Sequence, residues 1–362
     1  MLYSTAIGID THSNKNTICA LEVQTGAILE ASFSDDPAEI VRWVGQCSFE
    51  KPIMCVYEAG PTGFGLARAL NAAGIGCIVA ATSKLPKRTD KAKNDRNDAQ
   101  WLARLLSSGA VRAVRIPSVR EESLCRLSKL RGEAASDLRR AKQRLRSFLL
   151  MSGTKYTLTK KFWTKAFMNW ARTYKFAQPA DTFTFREKLA EVERLSERLA
   201  RIEGKILEII EGDPELKERM ARLLCIHGIG TVTAFSLICE VYDFGRFGNG
   251  RSFASFLGLV PSEKSTGDKV SHGRITKLGN ANLRRLLLEA ASCYSHGRNA
   301  AAARPGYGNA PAAVAAKARK CEDRLFARRE ALRRRGMSAN KAKCAIAREL
   351  AEWIYYIMAM PA

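Results

Sequence analysis

Four acidic residues in the first third of the chain have the chemistry and the spacing of a metal site. Asp10 and Glu58 each end an apolar segment, whereas Asp95 and Asp98 stand three residues apart at the start of a helical pattern. Residues three apart share one face of a helix. Carboxylate oxygens are the ligands that Mg²⁺ prefers, and two such cations can activate a nucleophile and stabilise a leaving oxygen in phosphodiester cleavage. The four acids therefore predict Mg²⁺-dependent chemistry on a phosphodiester.

Each acid alone also has an ordinary structural explanation. Asp10 could be a turn residue and Asp95 a helix cap, which are common roles of aspartate. The combination of two acidic strand ends and a helical pair favours the metal site. Basic residues approach the pair, and they form either a solvated loop or, as we expect, a phosphate-binding rim. These residues are Lys84, Lys87, Arg88, Lys91 and Lys93.

The elements around these acids predict a first domain over residues 1–115. We expect strands at 4–10, 17–23, 28–33, 52–58 and 75–80, with helices at 37–47 and 62–73. Asp36 is the expected N-cap of the first helix. Three strands followed by alternating strands and helices indicate a mixed sheet with helices on its faces, in the order of the ribonuclease-H-like fold. Strand ends meet at one edge of such a sheet, which would bring Asp10 and Glu58 together.

The predicted second domain, residues 116–215, is a coiled-coil and linker region. Leucine, alanine and isoleucine recur at three- and four-residue steps between charged residues, as in a coiled-coil seam that includes Leu130. The interval 153–181 is rich in aromatic residues and lysine, and its pattern predicts no particular fold.

The third predicted domain, residues 216–362, is mostly helical. Gly228-Ile229-Gly230 suggests a helix-hairpin-helix turn whose amides bind a phosphate, although a plain tight turn between packed helices is the alternative. The segment 262–267 places Ser265, Thr266 and Gly267 in a loop, with Ser271 further on. Most loop serines are turn residues, but a hydroxyl among cations also suits attack on a phosphodiester. The neighbouring cations are Arg274, Lys277, Arg284 and Arg285.

The charge of the chain predicts a polyanionic partner. Lys and Arg total 59 against 36 Asp and Glu, a formal net charge of +23 over 362 residues. Phosphate contacts with release of counterions are the usual source of binding energy for such proteins. We expect two RNA-binding surfaces, although a solvated surface is the alternative for each. One comprises Arg139, Arg140, Lys142, Arg144 and Arg146, and the other lies around Arg333, Arg334 and Arg335.

Cysteine spacing and hydropathy exclude two other classes of protein. The ten cysteines include no Cys-x-x-Cys pair, so a structural zinc site is not expected and we interpret them as small buried residues. Neither a secretion signal nor an apolar stretch of about 20 residues is evident, which argues against a membrane partner. We expect a soluble, cytoplasmic protein.

Several segments together resemble the DEDD insertion-sequence transposases, a family that includes bridge-RNA-guided recombinases and Piv-type invertases. The resemblance covers nearly the whole chain. It rests on Gly8-Ile9-Asp10, Tyr57-Glu58-Ala59-Gly60, Asn94-Asp95-Arg96-Asn97-Asp98-Ala99, Gly228-Ile229-Gly230, Gly258-Leu259-Val260-Pro261 and Ser265-Thr266-Gly267.

The resemblance implies an RNA-guided recombinase with a RuvC-like domain, a coiled-coil linker and a C-terminal transposase domain. Asp10, Glu58, Asp95 and Asp98 would bind Mg²⁺, and a serine would form a covalent phosphoserine link to DNA. Many relatives have serine directly before the glycine, where this chain has Thr266. Ser265 is the expected nucleophile because a primary hydroxyl is less hindered; Thr266 is second and Ser271 third. The implied partners are double-stranded donor and target DNA, a structured guide RNA and further copies of the chain, as a dimer or tetramer.

Two other functions remain open from the sequence. A junction-resolving nuclease or another metal nuclease would share the four acids but would need no serine. A non-catalytic nucleic-acid-binding protein would account for the charge and the coiled coil, but would have no reason to gather the acids.

Overall fold

The computed structural model divides the chain into two compact units, Met1–Ser118 and Val119–Ala362. Residues 3–86, 94–157, 161–266, 269–295 and 310–361 are described. The first unit is a mixed α/β structure with a central sheet, and the second is mostly helical.

The first unit is built on a six-stranded sheet with the order β3-β2-β1-β4-β5-β6. Its strands are β1 (Thr5–Thr11), β2 (Asn16–Glu22), β3 (Ile28–Phe33), β4 (Ile53–Glu58), β5 (Gly76–Ala80) and β6 (Ala113–Val114). β1 pairs antiparallel with β2 and parallel with β4, and β4 pairs parallel with β5. The first five strands agree with the predicted ones to within about one residue at most ends, whereas β6 was not predicted.

Three helices cover the faces of this sheet: α1 (Pro37–Gly45), α2 (Gly65–Ala72) and α3 (Asp95–Ser107). The carboxylate of Asp36 accepts a hydrogen bond from the amide of Ala38, which confirms it as the cap of α1. Side chains alternate between the two faces of a strand. Ile7 and Ile9 are fully buried in a core with residues of α1 and α2, while Ala6 is buried in another with residues of α3.

Helix α3 crosses β1 at Gly8 with almost no space between the two backbones. A methyl group at Gly8 would lie 2.0 Å from the carbonyl oxygen of Ala99 and 2.5 Å from the amide nitrogen of Ala103. Contacts as short as these do not occur between unbonded atoms, so only glycine permits this crossing. The crossing fixes the distance between α3 and β1, the strand that carries Asp10 near its end.

The second unit begins with two long helices, α4 (Val119–Met151) and α6 (Pro179–Glu211), separated by α5 (Lys165–Thr173). They agree with the predicted helical region, and α5 is the element that the interval 153–181 did not reveal. Near the end of α4 the three helices share one core. Its buried members are Leu138, Ala141, Leu145, Leu149, Phe167, Ala171, Phe185, Leu189, Val192 and Leu195.

The remainder of the second unit is a helical assembly with one hairpin. Its helices are α7 (Pro214–Leu224), α8 (Thr231–Val241), α9 (Gly250–Phe256), α10 (Ala281–Ser292), α11 (Ala312–Arg334) and α12 (Ala339–Met358). The hairpin consists of β7 (Pro261–Thr266) and β8 (Lys269–Ile275). One large core contains Cys125 of α4, Ile206 of α6 and the apolar faces of α7 to α12.

The predicted seam of α4 is wrong at Leu130, although Leu124 and Leu127 pack against the large core. Leu130 is 37% exposed, whereas Cys125 and Ser128 are buried. Here α4 packs against α8 as well as α6, and the hydroxyls of Ser128 and Ser236 lie 3.0 Å apart. Packing against a second partner rotates the buried face away from a single seam.

The cysteines behave as the sequence predicts. All ten are free thiols and eight of them are buried, with Cys293 and Cys344 partly exposed. Burial raises the pKa of Cys19 to about 11 and that of Cys77 to about 12, because a thiolate is poorly solvated there. The reactive thiolate form of these two residues is therefore disfavoured. Within the described parts of the chain, no helix is both long enough and apolar enough to span a bilayer.

Substitution of Gly8 tests the crossing of α3 over β1. Gly8→Ala should lower the free energy of unfolding by at least about 1–3 kcal/mol, because the added methyl forces backbone atoms apart. The matched control is Gly45→Ala at the end of α1, where nothing lies within 4 Å of an added Cβ. Urea denaturation followed by circular dichroism would measure both. Equal stability of Gly8→Ala and the unchanged protein would show that α3 does not depend on this contact.

Candidate metal centre and hydroxyl hairpin

Asp10 and Glu58 lie side by side at the carboxyl edge of the sheet. The last registered pair of the central strands joins Ile9 of β1 to Tyr57 of β4, and each acid is the next residue of its strand. Neighbouring strands are about 4.8 Å apart, so the two residues start from adjacent positions. Both are half-buried, and the side chain of Asp10 retains 20% of its exposure.

Helix α3 brings the second pair of acids to this edge. Asn94 is its N-cap, with its side chain accepting from the amide of Asn97, so the capping role that Asp95 could have filled belongs to its neighbour. Asp95 is exposed and Asp98 is half-buried in the first turn. The helix N-terminus also carries partial positive charge, which makes two carboxylates tolerable there.

Three side chains at this edge lie close enough to share one cation. Asp10, His12 and Asp95 offer ligand atoms that all lie within 4.8 Å of one another. The Nδ1 atom of His12 is 3.6 Å from Oδ2 of Asp10. Two carboxylates and an imidazole form a donor set that suits a divalent cation, and the positive ion would relieve the repulsion between the acids.

His12 is a candidate ligand that the sequence did not single out. Its only signal was its position two residues after Asp10, beyond the end of the apolar segment. Among the described residues, the group of three includes neither Glu58 nor Asp98. Asp98 shares the first turn of α3 with Asp95, and Glu58 ends β4, the strand that pairs with β1 beside Asp10.

A cavity of about 500 Å³ opens beside this group. Its walls include Thr11, His12 and Ser13 after β1, and Thr62 and Gly63 before α2. The hydroxyls of Thr11 and Thr62 lie 3.1 Å apart and join the two walls. Polar groups around a space of this size can accommodate part of a nucleotide strand next to the acids.

The predicted basic rim falls largely outside the described residues. Lys84 is exposed at the end of a short 3-10 helix, Thr82–Lys84. Lys87, Arg88, Lys91 and Lys93 lie outside the part of the chain that the structure describes. The phosphate-binding role of these residues stays a prediction.

In the second unit, Ser265 and Thr266 belong to the hairpin, not to a free loop. Ser265 of β7 pairs with Val270 of β8, Thr266 pairs with Lys269, and Ser271 pairs with Lys264. A two-stranded ladder fixes the backbone at these positions more firmly than a loop would. The candidate hydroxyls are therefore carried by regular structure close to the hairpin turn.

Two glycines hold the base of this hairpin. A Cβ at Gly258, where φ is +66°, would lie 2.3 Å from the carbonyl oxygen of Leu278, and one at Gly279, where φ is +107°, would lie 2.1 Å from that of Phe256. Arg284 donates to the carbonyl oxygen of Leu257 at 3.0 Å, so it binds this junction. The segments before β7 and after β8 are thereby clamped against each other.

A partly buried hydrogen-bond network fixes the start of α10, which follows the hairpin in the chain. The carboxylate of Glu240 accepts hydrogen bonds from Asn280 at 2.7 Å and from Asn282 at 2.6 Å. Asn280 is also the N-cap of α10 through the amide of Leu283. The acid and two amides tie α8 to α10, and the sequence alone did not indicate this pairing.

The turn at Gly228 and Gly230 combines packing with an exposed helix start. A Cβ at Gly228, where φ is +83°, would lie 2.6 Å from the carbonyl oxygen of Ala290 in α10, so packing alone requires this glycine. Gly230 is exposed and caps α8 without a side-chain hydrogen bond. Phosphate binding by the amides at this turn stays a prediction.

The other predicted cations differ in their partners. Arg274 near the end of β8 and Lys277 just after it are exposed, and Arg285 forms an ion pair with Glu289 at 2.8 Å. Arg333 and Arg334 both contact Glu330, and Arg335 follows them as the cap of α11.

The basic run of α4 divides into two faces. Arg140 pairs with Asp137, and Arg144 pairs with Glu191 at 2.7 Å. Arg139, Lys142 and Arg146 line a cavity on the other face. The run is thus not one uniform cationic surface.

Comparisons with known proteins find transposases. A DEDD transposase family of the IS110 type matches residues 7–152, and the transposase family IS116/IS110/IS902 matches residues 220–305. "Putative transposase y4qE" of Sinorhizobium fredii is 33% identical over 97% of this chain and 87% of its own length. The transposase for insertion sequence element IS1533 of Leptospira borgpetersenii is 33% identical over 79% of this chain and 84% of its own length.

The metal centre predicts a specific loss of cation binding. Asp10→Asn and Asp95→Asn should each weaken binding of Mn²⁺ at least about tenfold, since even indirect partners of metal sites are worth that much. Glu58→Gln and Asp98→Asn test the two further predicted ligands. Isothermal titration calorimetry would measure the affinity, with Asp36→Asn as control because asparagine also caps a helix. Unchanged Mn²⁺ affinity in Asp10→Asn would remove this residue from the site.

Proposed function

Because this chain belongs to the IS116/IS110/IS902 family of transposases, we propose that it is an RNA-guided recombinase that joins DNA through a serine nucleophile. Membership of the family makes it an enzyme that cleaves and transfers DNA, and the DEDD domain implies a divalent metal. The observation that supports the proposal most is the meeting of Asp10 and Asp95, 85 residues apart in the chain, within one ligand group.

The proposed metal is Mg²⁺, bound by Asp10, Glu58, Asp95 and Asp98, with His12 beside Asp10. When bound, it would polarise the phosphodiester and stabilise charge on the leaving oxygen. The strand order β3-β2-β1-β4-β5 supports a ribonuclease-H-like, RuvC-type assignment for the first unit. In that fold, the acidic strand ends and the first turn of α3 would hold the ion, which would supply charge stabilisation at a phosphodiester.

The proposed nucleophile is the hydroxyl of Ser265. Its oxygen forms a bond to phosphorus, the bond from phosphorus to a deoxyribose oxygen breaks, and the hydroxyl proton ends on that leaving oxygen. The phosphoserine link conserves the energy of the phosphodiester bond. The deoxyribose hydroxyl of a different DNA end can therefore attack the phosphorus, release the serine and join the two DNA ends. Thr266 and Ser271 are the second and third choices.

Several features of the second unit support this assignment. The backbone ladder of the hairpin and the clamped glycines Gly258 and Gly279 hold the hydroxyl-bearing strand in one place. Arg274 and Lys277 are exposed near its base and can contact the phosphates that flank the cut. Such preorganisation lowers the cost of orienting a nucleophile.

Trapping of a covalent adduct tests the chemistry. The protein with Mg²⁺ and DNA that carries its element ends should give a protein–DNA band on a denaturing gel. Ser265→Ala and Asp10→Asn should each abolish that band, whereas Ser271→Ala should keep it. An adduct retained by Ser265→Ala but lost by Thr266→Ala would move the nucleophile by one residue. Cleavage without any adduct would favour a metal nuclease that activates water.

We further propose that the chain acts as a dimer or tetramer on donor and target DNA that a structured guide RNA selects. The net charge of +23 and the exposed cations of α4 and α11 support an RNA partner. Purification in high salt, with and without ribonuclease, should yield a discrete RNA, and binding should weaken steeply with salt. Arg139→Glu with Arg140→Glu should reduce RNA affinity without changing Mn²⁺ affinity. Protein that is free of RNA yet fully active would indicate DNA recognition by protein contacts alone.

A further inference from the structure

The long helices α4 and α6 pack together as a helical pair, and a cavity that the proposed reaction does not use lies at the C-terminal end of α4. It has a volume of about 940 Å³ and lies between α4 and residues 154–157 and 162–163. We name it the aromatic pocket and define it by six of its lining residues. These are Arg139, Lys142, Arg146, Tyr156, Phe162 and Trp163.

The pocket is strongly cationic. Arg139, Lys142 and Arg146 are spaced by three and four residues and so project from one face of α4. Lys155 adds a fourth positive charge, and none of the described residues that line the cavity is acidic. None of the three α4 cations forms an ion pair with a carboxylate among the described residues, in contrast to Arg140 and Arg144. A site of this kind is suited to an anion.

The opposite wall is aromatic and firmly held. The rings of Phe162 and Trp163 each have their centroid 5.1 Å from that of Phe167, which is fully buried. Trp163 has a φ of +68°, a conformation that a bulky residue adopts only at a cost, so the surrounding packing imposes its position. The wall is therefore preformed.

The cations lie directly over this wall. The Nζ atom of Lys142 is 5.2 Å from the ring centre of Trp163, and the guanidinium carbon of Arg146 is 4.7 Å from that of Phe162. Burial lowers the pKa of Lys142, because its charge has lost part of its water. The hydroxyl of Tyr156 is buried and has no hydrogen-bond partner among the described residues. Both groups would gain from a polar, anionic ligand.

We propose that the aromatic pocket binds one unstacked nucleotide of a single-stranded nucleic acid. The phosphate would form ion pairs with Arg139, Lys142 and Arg146. The base would stack on the rings of Trp163 and Phe162, in the place that the side chains of Lys142 and Arg146 now occupy. Stacking on an aromatic side chain beside a cationic groove is the usual means of holding single strands. An apolar helix would leave the cations unsatisfied, and a bare anion would not use the aromatic wall.

This proposal rests on the nucleic-acid-binding part of the proposed function, but not on the metal site or the serine. It makes the end of the helical pair a place where an unpaired base of an RNA loop or of an opened DNA strand is held. The competing explanation is a purely structural cap, in which the cations only cover the rings.

Binding of a fluorescein-labelled single-stranded hexanucleotide, measured by anisotropy, tests the pocket. Oligouridine and oligothymidine would be compared to distinguish the two sources of the strand. Trp163→Ala should weaken binding about tenfold or more, the usual effect of losing one stacked base. Lys142→Ala should also weaken it, whereas Lys129→Ala, an exposed lysine of the same helix outside the pocket, should change affinity less than Lys142→Ala does.

A second test changes the oligonucleotide and leaves the protein unchanged, so it does not depend on the folding of a variant. A hexamer of abasic sites has the same phosphates and should bind the unchanged protein about tenfold more weakly than oligouridine or oligothymidine. Equal binding of abasic and normal strands, or equal effects of Lys142→Ala and Lys129→Ala, would overturn the proposal in favour of general charge attraction. Loss of cleavage in the carboxylate variants, or absence of a co-purified guide RNA, would leave this hexamer binding intact, so the two proposals fail separately.

Discussion

The contact on which the first unit depends is the crossing of α3 over β1 at Gly8. Because no side chain intervenes, the helix lies directly on the strand, and its first turn reaches the strand end where Asp10 stands. Because Gly8 has no Cβ, α3 can approach β1 closely enough for Asp10 and Asp95, far apart in sequence, to belong to one ligand group. The acids repel each other in the absence of a cation, so the apolar packing of Leu102 and Leu106 must hold α3 in place.

The second unit uses its positive charge in two distinct ways. Some arginines join elements: Arg131 pairs with Glu203 across the helical pair, and Arg324 and Arg328 both contact Glu349 across α11 and α12. Others, above all the α4 cations of the aromatic pocket, have no acidic partner among the residues described. Paired cations contribute to structure, whereas unpaired cations retain the field that attracts phosphates.

Local signals in the sequence predicted most of the strands and helices, and long-range packing supplied what the sequence did not reveal. The cap at Asp36 and the limits of β3 follow from neighbouring residues alone, so both were predicted. His12 belongs to the metal group only because the fold brings α3 to it. Asn94 and Asp95 are adjacent and both can cap a helix, so the sequence alone did not show that Asn94 is the cap of α3. The aromatic pocket depends on α5, whose short segment has no repeat long enough to identify a helix.

A crystal structure of the protein with Mn²⁺, with the ion located by its anomalous scattering, would test the proposed metal centre most directly. We expect a peak at about 2 Å from carboxylate oxygens of both Asp10 and Asp95, at the edge where β1 and β4 end. Glu58 and Asp98 would face the same ion or a second one close to it. A peak bound elsewhere, or no peak while Asp10 and Asp95 remain ordered beside His12, would contradict the assignment of this edge as the metal centre.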